Sequence, residues 1–207
     1  MKKVRVNHCG LIVLAAGMSS RMGSPKQVLP YKGQTLLGYS VEEAVGTGLQ
    51  PIWVVLGASH ALLEKELEGK AGIQCIFNPL WQEGMASSIR CGVQTATRFF
   101  PELDGLIIMV CDQPFVDRVL LKALLHTQHK TGMPLVASIY QGHPGVPALF
   151  HESFFDALLM LKGDQGARRL LKDEFDRVAG VSFPEGETDI DTIEDYMKLK
   201  EQKKPHD

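Results

Sequence analysis

Apolar and polar positions along the chain fall into two alternating kinds of segment. Short apolar runs, rich in branched side chains and without polar alternation, cover residues 10–15, 52–56, 74–77, 106–110, 135–140 and 146–150. Between and after them, apolar residues recur at helical spacing over 35–45, 61–67, 87–97, 118–129, 154–161 and 193–203. Unbroken apolar runs describe strands buried on both faces, and strands alternating with helices describe a parallel sheet between helix layers. Gly and Pro mark the joints, at Gly17, Gly23-Ser24-Pro25, Gly57, Asn78-Pro79, Gln113-Pro114 and between Gly142 and Pro147. There is no internal repeat and no long linker. The expected fold is one three-layer α/β/α domain over residues 1–207 with a mostly parallel, Rossmann-like sheet and a frayed tail at 203–207.

Composition narrows the class. A chain of 207 residues with 44% hydrophobic and 22% charged residues suits one large globular domain and excludes disorder. A net charge of −2 supplies no bulk attraction to nucleic acid or an anionic membrane, so neither is an expected partner. Met1-Lys2-Lys3 ahead of the apolar residues 11–16 resembles the start of a secretory leader, but Asn7 and His8 interrupt it and Arg21 and Lys26 follow closely. The run reads better as a buried strand. No segment is long enough to span a bilayer, and the expected location is the cytoplasm. Cys9, Cys75, Cys91 and Cys111 lie far apart without a C-x-x-C pair, which describes reduced core cysteines rather than a disulfide framework or a zinc site.

In open α/β sheets the ligand sits beyond the carboxyl ends of the strands. The candidates are therefore the loops 17–26 and 78–88, Asp112, and the segment 142–147. The stretch Leu14-Ala15-Ala16-Gly17-Met18-Ser19-Ser20-Arg21-Met22-Gly23-Ser24-Pro25-Lys26 is the most informative. It lacks G-x-x-x-x-G-K-[ST], and Ser19 stands where G-x-G-x-x-G needs its second glycine. Its small residues still let backbone N–H groups approach an anion. Arg21 adds a bidentate fork, Lys26 a mobile point charge, and Ser19 and Ser20 hydroxyl donors. On their own these residues describe a polyphosphate site or, equally, a surface loop with two solvated cations.

The motif L-A-A-G-x-S-S-R-M-G-x-x-K resembles the signature of the MobA-like nucleotidyltransferases, a branch of the pyrophosphorylase superfamily. Further segments match that family in order. They are Asn78-Pro79-Leu80-Trp81-Gln82-Glu83-Gly84-Met85-Ala86-Ser87-Ser88, Cys111-Asp112-Gln113-Pro114, Gly163-Asp164-Gln165-Gly166-Ala167-Arg168 and Asp189-Ile190-Asp191-Thr192. Within the family, W-x-x-G-M-x-x-S and the double alanine are similar to the molybdenum cofactor cytidylyltransferases. Guanylyltransferase relatives tend to read L-A-G-G and carry Asp before the loop lysine, where Pro25 stands here.

The resemblance implies a fold of the nucleotide-diphospho-sugar transferase type, with a nucleotide-binding part at about 8–115 and an acceptor-binding part at about 116–200. It implies attack by the phosphate of molybdopterin on the α-phosphorus of CTP, with Mg²⁺ (or Mn²⁺) and release of pyrophosphate. Arg21 and Lys26 would grip the triphosphate, with Leu14, Ala15, Ala16, Gly17, Ser19, Ser20 and Gly23 forming the phosphate loop. Asn78, Gly84, Met85, Ser87 and Ser88 would address base and ribose, with Ser87 or Ser88 opening a helix toward the site. A small pocket at Ala15-Ala16 would leave no room for a purine. Trp81 would stack on a ligand or pack beneath its loop.

Asp112 is the expected metal ligand, since Asp117 suits the cap of the following helix better. Asp191 is the second carboxylate, with Asp189 as its alternative; Asp191 or Thr192 would equally cap the last helix. His143, Gly145 and Arg168 are candidates for the acceptor. Val146 stands where the family's G-x-x-G-H-P has histidine, so His143 reads equally as a turn residue. Two other functions remain open: transfer to another phosphorylated acceptor, or carriage of the cofactor without nucleotide chemistry. A molybdenum hydroxylase such as xanthine dehydrogenase is the expected client.

Overall fold

The computed structural model describes residues 3–19 and 22–201. The chain enters the sheet at β1 (Cys9–Ala15) and turns through a small hairpin, β2 (Pro30–Tyr31) and β3 (Gln34–Thr35), into helix α1 (Leu36–Val45). Strand β4 (Ile52–Leu56), helix α2 (His60–Glu66), strand β5 (Gln74–Phe77), helix α3 (Met85–Phe99) and strand β6 (Gly105–Val110) follow. After helix α4 (Arg118–Thr131) come strands β7 (Leu135–Tyr140) and β8 (His143–His151), then helices α5 (Phe155–Leu159) and α6 (Ala167–Asp173). Strand β9 (Val178–Ser182) and helix α7 (Ile193–Glu201) complete the order.

Seven strands form one sheet in the order β5-β4-β1-β6-β8-β7-β9. All neighbours run parallel except β8, which lies antiparallel between β6 and β7. Leu14 stands beside both Val55 and Val110, so β1, β4 and β6 end at one edge and release their loops side by side.

Alternation along β1 makes the layers. Leu11, Val13 and Ala15 face a core shared with Leu37 and Val41 of α1, Leu63 of α2 and Leu121 of α4. Ile12 and Leu14 face the opposite core, with Ile89 and Val93 of α3, Leu158 of α5 and Leu171 of α6. This is the expected three-layer α/β/α arrangement. A third cluster joins Met22, Tyr31 and Tyr39 to Ile190, Tyr196 and Leu199, and so holds α7 against the hairpin below the phosphate loop. Among the described residues, no helix is long and apolar enough to cross a membrane.

The sequence pattern does not foresee β9, α6 or the hairpin. Strand β9 carries Ala and Gly and is exposed or half-buried along its length, so it lacks a continuous apolar run. Strand β8 starts at His143 rather than 146, although Pro and Gly argue against it, because it pairs with β7 past a register shift at Ala137/Ser138.

Candidate active site

The loop after β1 is folded around an internal amide. Gln27, 1% exposed, donates from Nε2 to the carbonyls of Ala15 at 3.1 Å and Gly17 at 2.9 Å. Its Oε1 accepts from the Ser19 hydroxyl at 3.3 Å, and Ser19 Oγ accepts from the Lys26 N–H at 3.0 Å. Ser19 therefore braces the loop from within, in a left-handed conformation with φ of 53°. Gly23 also has positive φ and turns the chain on the exposed side. Gly57 packs directly against Ala16, whose carbonyl accepts from Ala58 N–H at 3.2 Å. Ser20 and Arg21 lie outside the described residues.

Lys26 reaches back across the sheet edge to two carboxylates. Its Nζ lies 2.6 Å from Asp112 Oδ2 and 2.8 Å from Asp191 Oδ1. Burial alone would lower the ammonium's pKa, but Asp112 foremost and then Asp191 outweigh it and hold Lys26 above its ordinary range. The chain that carries Asp191 is laced to Asp112, since Ile190 N–H donates to the Asp112 carbonyl at 3.0 Å and the Ile190 side chain is fully buried.

Capping does not occupy Asp191. Thr192 and Asp195 form the reciprocal box at the start of α7, with Thr192 Oγ1 accepting from Asp195 N–H at 3.2 Å and Asp195 Oδ2 accepting from Thr192 N–H at 3.0 Å. Asp117 likewise caps α4 through Leu120 N–H at 2.8 Å, and Asp112 is left facing the lysine. Two hard carboxylate oxygens within 3 Å of one positive centre fit a divalent cation completed by phosphate and water oxygens. Among the described residues no third His, Cys, Asp or Glu joins them.

A cavity of about 410 Å³ opens on this cluster. Leu14, Ala15, Ala16 and Gly17 line it from the end of β1, and Gly84, Met85 and Ser88 from the start of α3. Lys26, Asp112 and Asp191 complete its charged side; Met18, Gln27, Trp81, Gln82 and Asp164 also border it. Asn78 and Ser87 do not line it. Asn78, buried, donates to Ser87 Oγ at 2.8 Å and Ser88 Oγ at 3.0 Å and accepts from Leu80 N–H, so it holds the loop in shape.

Helix α3 begins at Met85, two residues before the expected start at Ser87, because Gly84 takes a φ of 99° and breaks the preceding chain there. A Cβ at Gly84 would collide with Asp164 and lie 2.6 Å from Gly163, while Ala86 N–H donates to the Gly163 carbonyl at 3.0 Å. The segment before α6 is thus latched to the head of α3.

A second cavity, about 170 Å³, lies on the other side of Asp112 and shares Leu14, Met85 and Val110 with the first. Gln113, Tyr140, Arg168 and Asp189 supply its polar groups. Arg168 places its guanidinium 5.5 Å from the centre of the Tyr140 ring. Asp189 therefore faces the second cavity rather than the Lys26 cluster. Its carboxyl is pushed up to about 6, first by burial and then by Asp112 and Asp191, against the opposing pull of Lys26 and Gln113.

Of the expected acceptor residues, Arg168 lines this cavity. Gly145 lies beneath Tyr140, where any Cβ would strike the phenol, and His143 sits exposed at the start of β8, bordering neither cavity. Gln27, Gln113 and Tyr140 have no signal of their own in the sequence, although Gln27 follows Lys26 and Gln113 follows Asp112.

The family profile described as the MobA-like NTP transferase domain matches residues 11–178. The chain is 33% identical over 200 residues to the purine catabolism protein PucB of Bacillus subtilis (strain 168), covering 91% of this chain and 94% of that one. It is 23% identical over 190 residues to the molybdenum cofactor cytidylyltransferase of Escherichia coli (strain K12), covering 92% and 94%. Among solved structures it is similar to Rv0371c from Mycobacterium tuberculosis H37Rv, with a TM-score of 0.81, 28% identity, and coverage of 94% of this chain and 98% of that one. The same protein in complex with manganese matches with a TM-score of 0.75 and 25% identity, over 94% and 99% of the two chains. The chain belongs to the MobA-like NTP transferase family.

Proposed function

We propose that this MobA-like NTP transferase joins CMP from CTP to the phosphate of molybdopterin or its molybdenum-loaded form and releases pyrophosphate, using Mg²⁺ or Mn²⁺. The observation that carries the reading is Lys26, held in the first cavity between Asp191 and Asp112, the latter of which also borders the second cavity. The likeness to the E. coli cytidylyltransferase and the manganese complex of Rv0371c support it. PucB is named for purine catabolism, which agrees with a client such as xanthine dehydrogenase in the cytoplasm.

The chemical step is an exchange at phosphorus. A phosphate oxygen of the acceptor bonds to the α-phosphorus of CTP, the bond from that phosphorus to the β-phosphate's bridging oxygen breaks, and pyrophosphate leaves with the electron pair. Such a step asks the protein for alignment and charge neutralisation. The small residues 15–17 let backbone N–H groups approach phosphate oxygens closely. Lys26 neutralises the triphosphate. Asp112 and Asp191 would hold a divalent ion, which would supply further neutralisation of the transferring phosphate. Ala15 and Ala16 form the wall against which cytosine rests. Residues 8–115 supply most of the nucleotide cavity, and residues 116–200 bring the acceptor to it.

Pyrophosphate release from CTP, GTP, ATP and UTP, with and without molybdopterin cofactor, tests this. Cofactor-dependent release from CTP alone, lost in Asp112→Ala, is the expected result. Release from another triphosphate would reassign the base, and release only with other phosphorylated acceptors would reassign the acceptor. Tight cofactor binding without any release would make the protein a carrier.

A further inference from the structure

The second cavity has a chemistry of its own. Its walls are apolar, from Leu14, Ile89, Ile108, Val110 and Val146. Within it stands Gln113, 2% exposed, whose Nε2 donates to the Gly186 carbonyl at 2.8 Å. That bond sets the amide's orientation, because a carbonyl accepts only from the NH₂ end. Gln113 Oε1 is consequently turned the other way, and it is buried with no hydrogen-bond partner among the described residues. A buried acceptor left unpaired is costly, and one bordering a cavity is completed by whatever donor enters.

The rest of the lining completes a pattern. Asp189 adds a second acceptor, and Arg168 and the Tyr140 hydroxyl add donors, with Arg168 lying over the Tyr140 ring. Apolar walls suit the faces of a flat ring, and acceptors next to donors suit an edge where an amino group adjoins a ring N–H and a carbonyl. A sugar or alcohol phosphate presents hydroxyls and no flat apolar face. At about 170 Å³ the cavity is of a size for a two-ring heterocycle.

We propose that Gln113 is a specificity-determining residue that reads the amino-bearing edge of the acceptor's pterin ring in this second cavity, with Asp189 and Arg168 completing the edge. The inference rests on the cytidylyl-transfer reading for the identity of the acceptor, and adds to it where the ring lies and which atom selects it.

Two fluorescent probes separate the ring edge from everything else: 6-hydroxymethylpterin and 6-hydroxymethyllumazine, which carries a carbonyl in place of the exocyclic amino group. Fluorescence titration of the full-length protein should show the pterin bound about tenfold more tightly than the lumazine, as expected when a site's buried acceptor is left unpaired. Gln113→Met should weaken pterin binding about tenfold and remove the preference, with a melting curve confirming that the variant folds. Equal affinity of the native protein for both rings overturns the proposal without any variant, as does a folded Gln113→Met protein that keeps the preference. If the native protein binds neither ring, pyrophosphate release with molybdopterin separates the cases. Release present overturns the ring assignment alone, and release absent overturns it together with the cytidylyl-transfer reading.

Discussion

The two cavities that flank Asp112 are built on opposite principles. The larger is lined by the small residues at the exit of β1, the head of α3, and a charge cluster whose members are already paired with one another. The smaller is framed by side chains gathered from β6, β7, β8, α3 and α6 and the segments around them, and it keeps an acceptor unpaired. Backbone N–H groups meet phosphates, which every nucleoside triphosphate shares. Side chains meet the features that distinguish one molecule from another. On the proposed reading, general grip would belong to the parallel part of the sheet and acceptor discrimination to the part that contains the antiparallel strand.

Substitutions along the boundary test that division. The largest effect is expected from Asp112→Ala, which removes the group common to both cavities and should lower turnover by about a thousandfold, read as pyrophosphate release. Lys26→Met acts on the nucleotide side alone and should cost about a hundredfold in turnover. It also frees Asp112 and Asp191 from a competing cation, so Mn²⁺ binding, followed by the electron paramagnetic resonance signal of the free ion, should be kept or tightened. Loss of Mn²⁺ binding in that variant would show that the lysine organises the carboxylates instead of occupying their place.

Gly84→Ala places a methyl group against Asp164 and Gly163 at a backbone conformation that L-residues avoid. About 2 kcal/mol of stability and about 6 °C in melting temperature should be lost. A melting temperature equal to that of the native protein would mean that the latch between the two cavities gives way cheaply.

The smallest effect belongs to the second cavity. The Asp189 carboxyl sits at about 6 in the fold, against 3.8 for the free group. A raised carboxyl contributes fully below the lower value, and that contribution is lost as pH rises through the upper one. Asp189→Asn should therefore raise the melting temperature by about 2 °C at pH 8, less near pH 5 and not at all near pH 4. A pH-independent difference would remove Asp189 from the crowded group of carboxylates.

Strands 52–56 and 135–140 stand where the apolar runs put them, because a continuous branched run bounded by turn residues has few other ways to bury both faces. Strand 74–77 also forms where expected, at the sheet edge and only half-buried. Helix α6 and strand β9 were not legible, being short and only partly buried, so packing against β8 and β7 decides them. The same contrast divides the site. Asp112 stands just beyond a strand and Lys26 lies in the loop that follows another, so their places in the chain mark them, whereas Asp191 is marked by the resemblance to the MobA-like family. Gln27, Gln113 and Tyr140 carry no such mark; an amide becomes informative only when its surroundings bury it and assign or withhold its partners.

What the linear order determined is therefore the layering, the sheet edge that carries the ligand loops, and the charged residues delivered to it, all consequences of short-range periodicity and of where loops leave strands. The convergence of Lys26 on two carboxylates 86 and 165 residues away was decided only in three dimensions. So were the assignment of the α7 cap to Thr192 and the unpaired oxygen of Gln113. Each depends on which distant groups share a hydrogen bond or a buried surface, and that is settled by the packing of the whole chain.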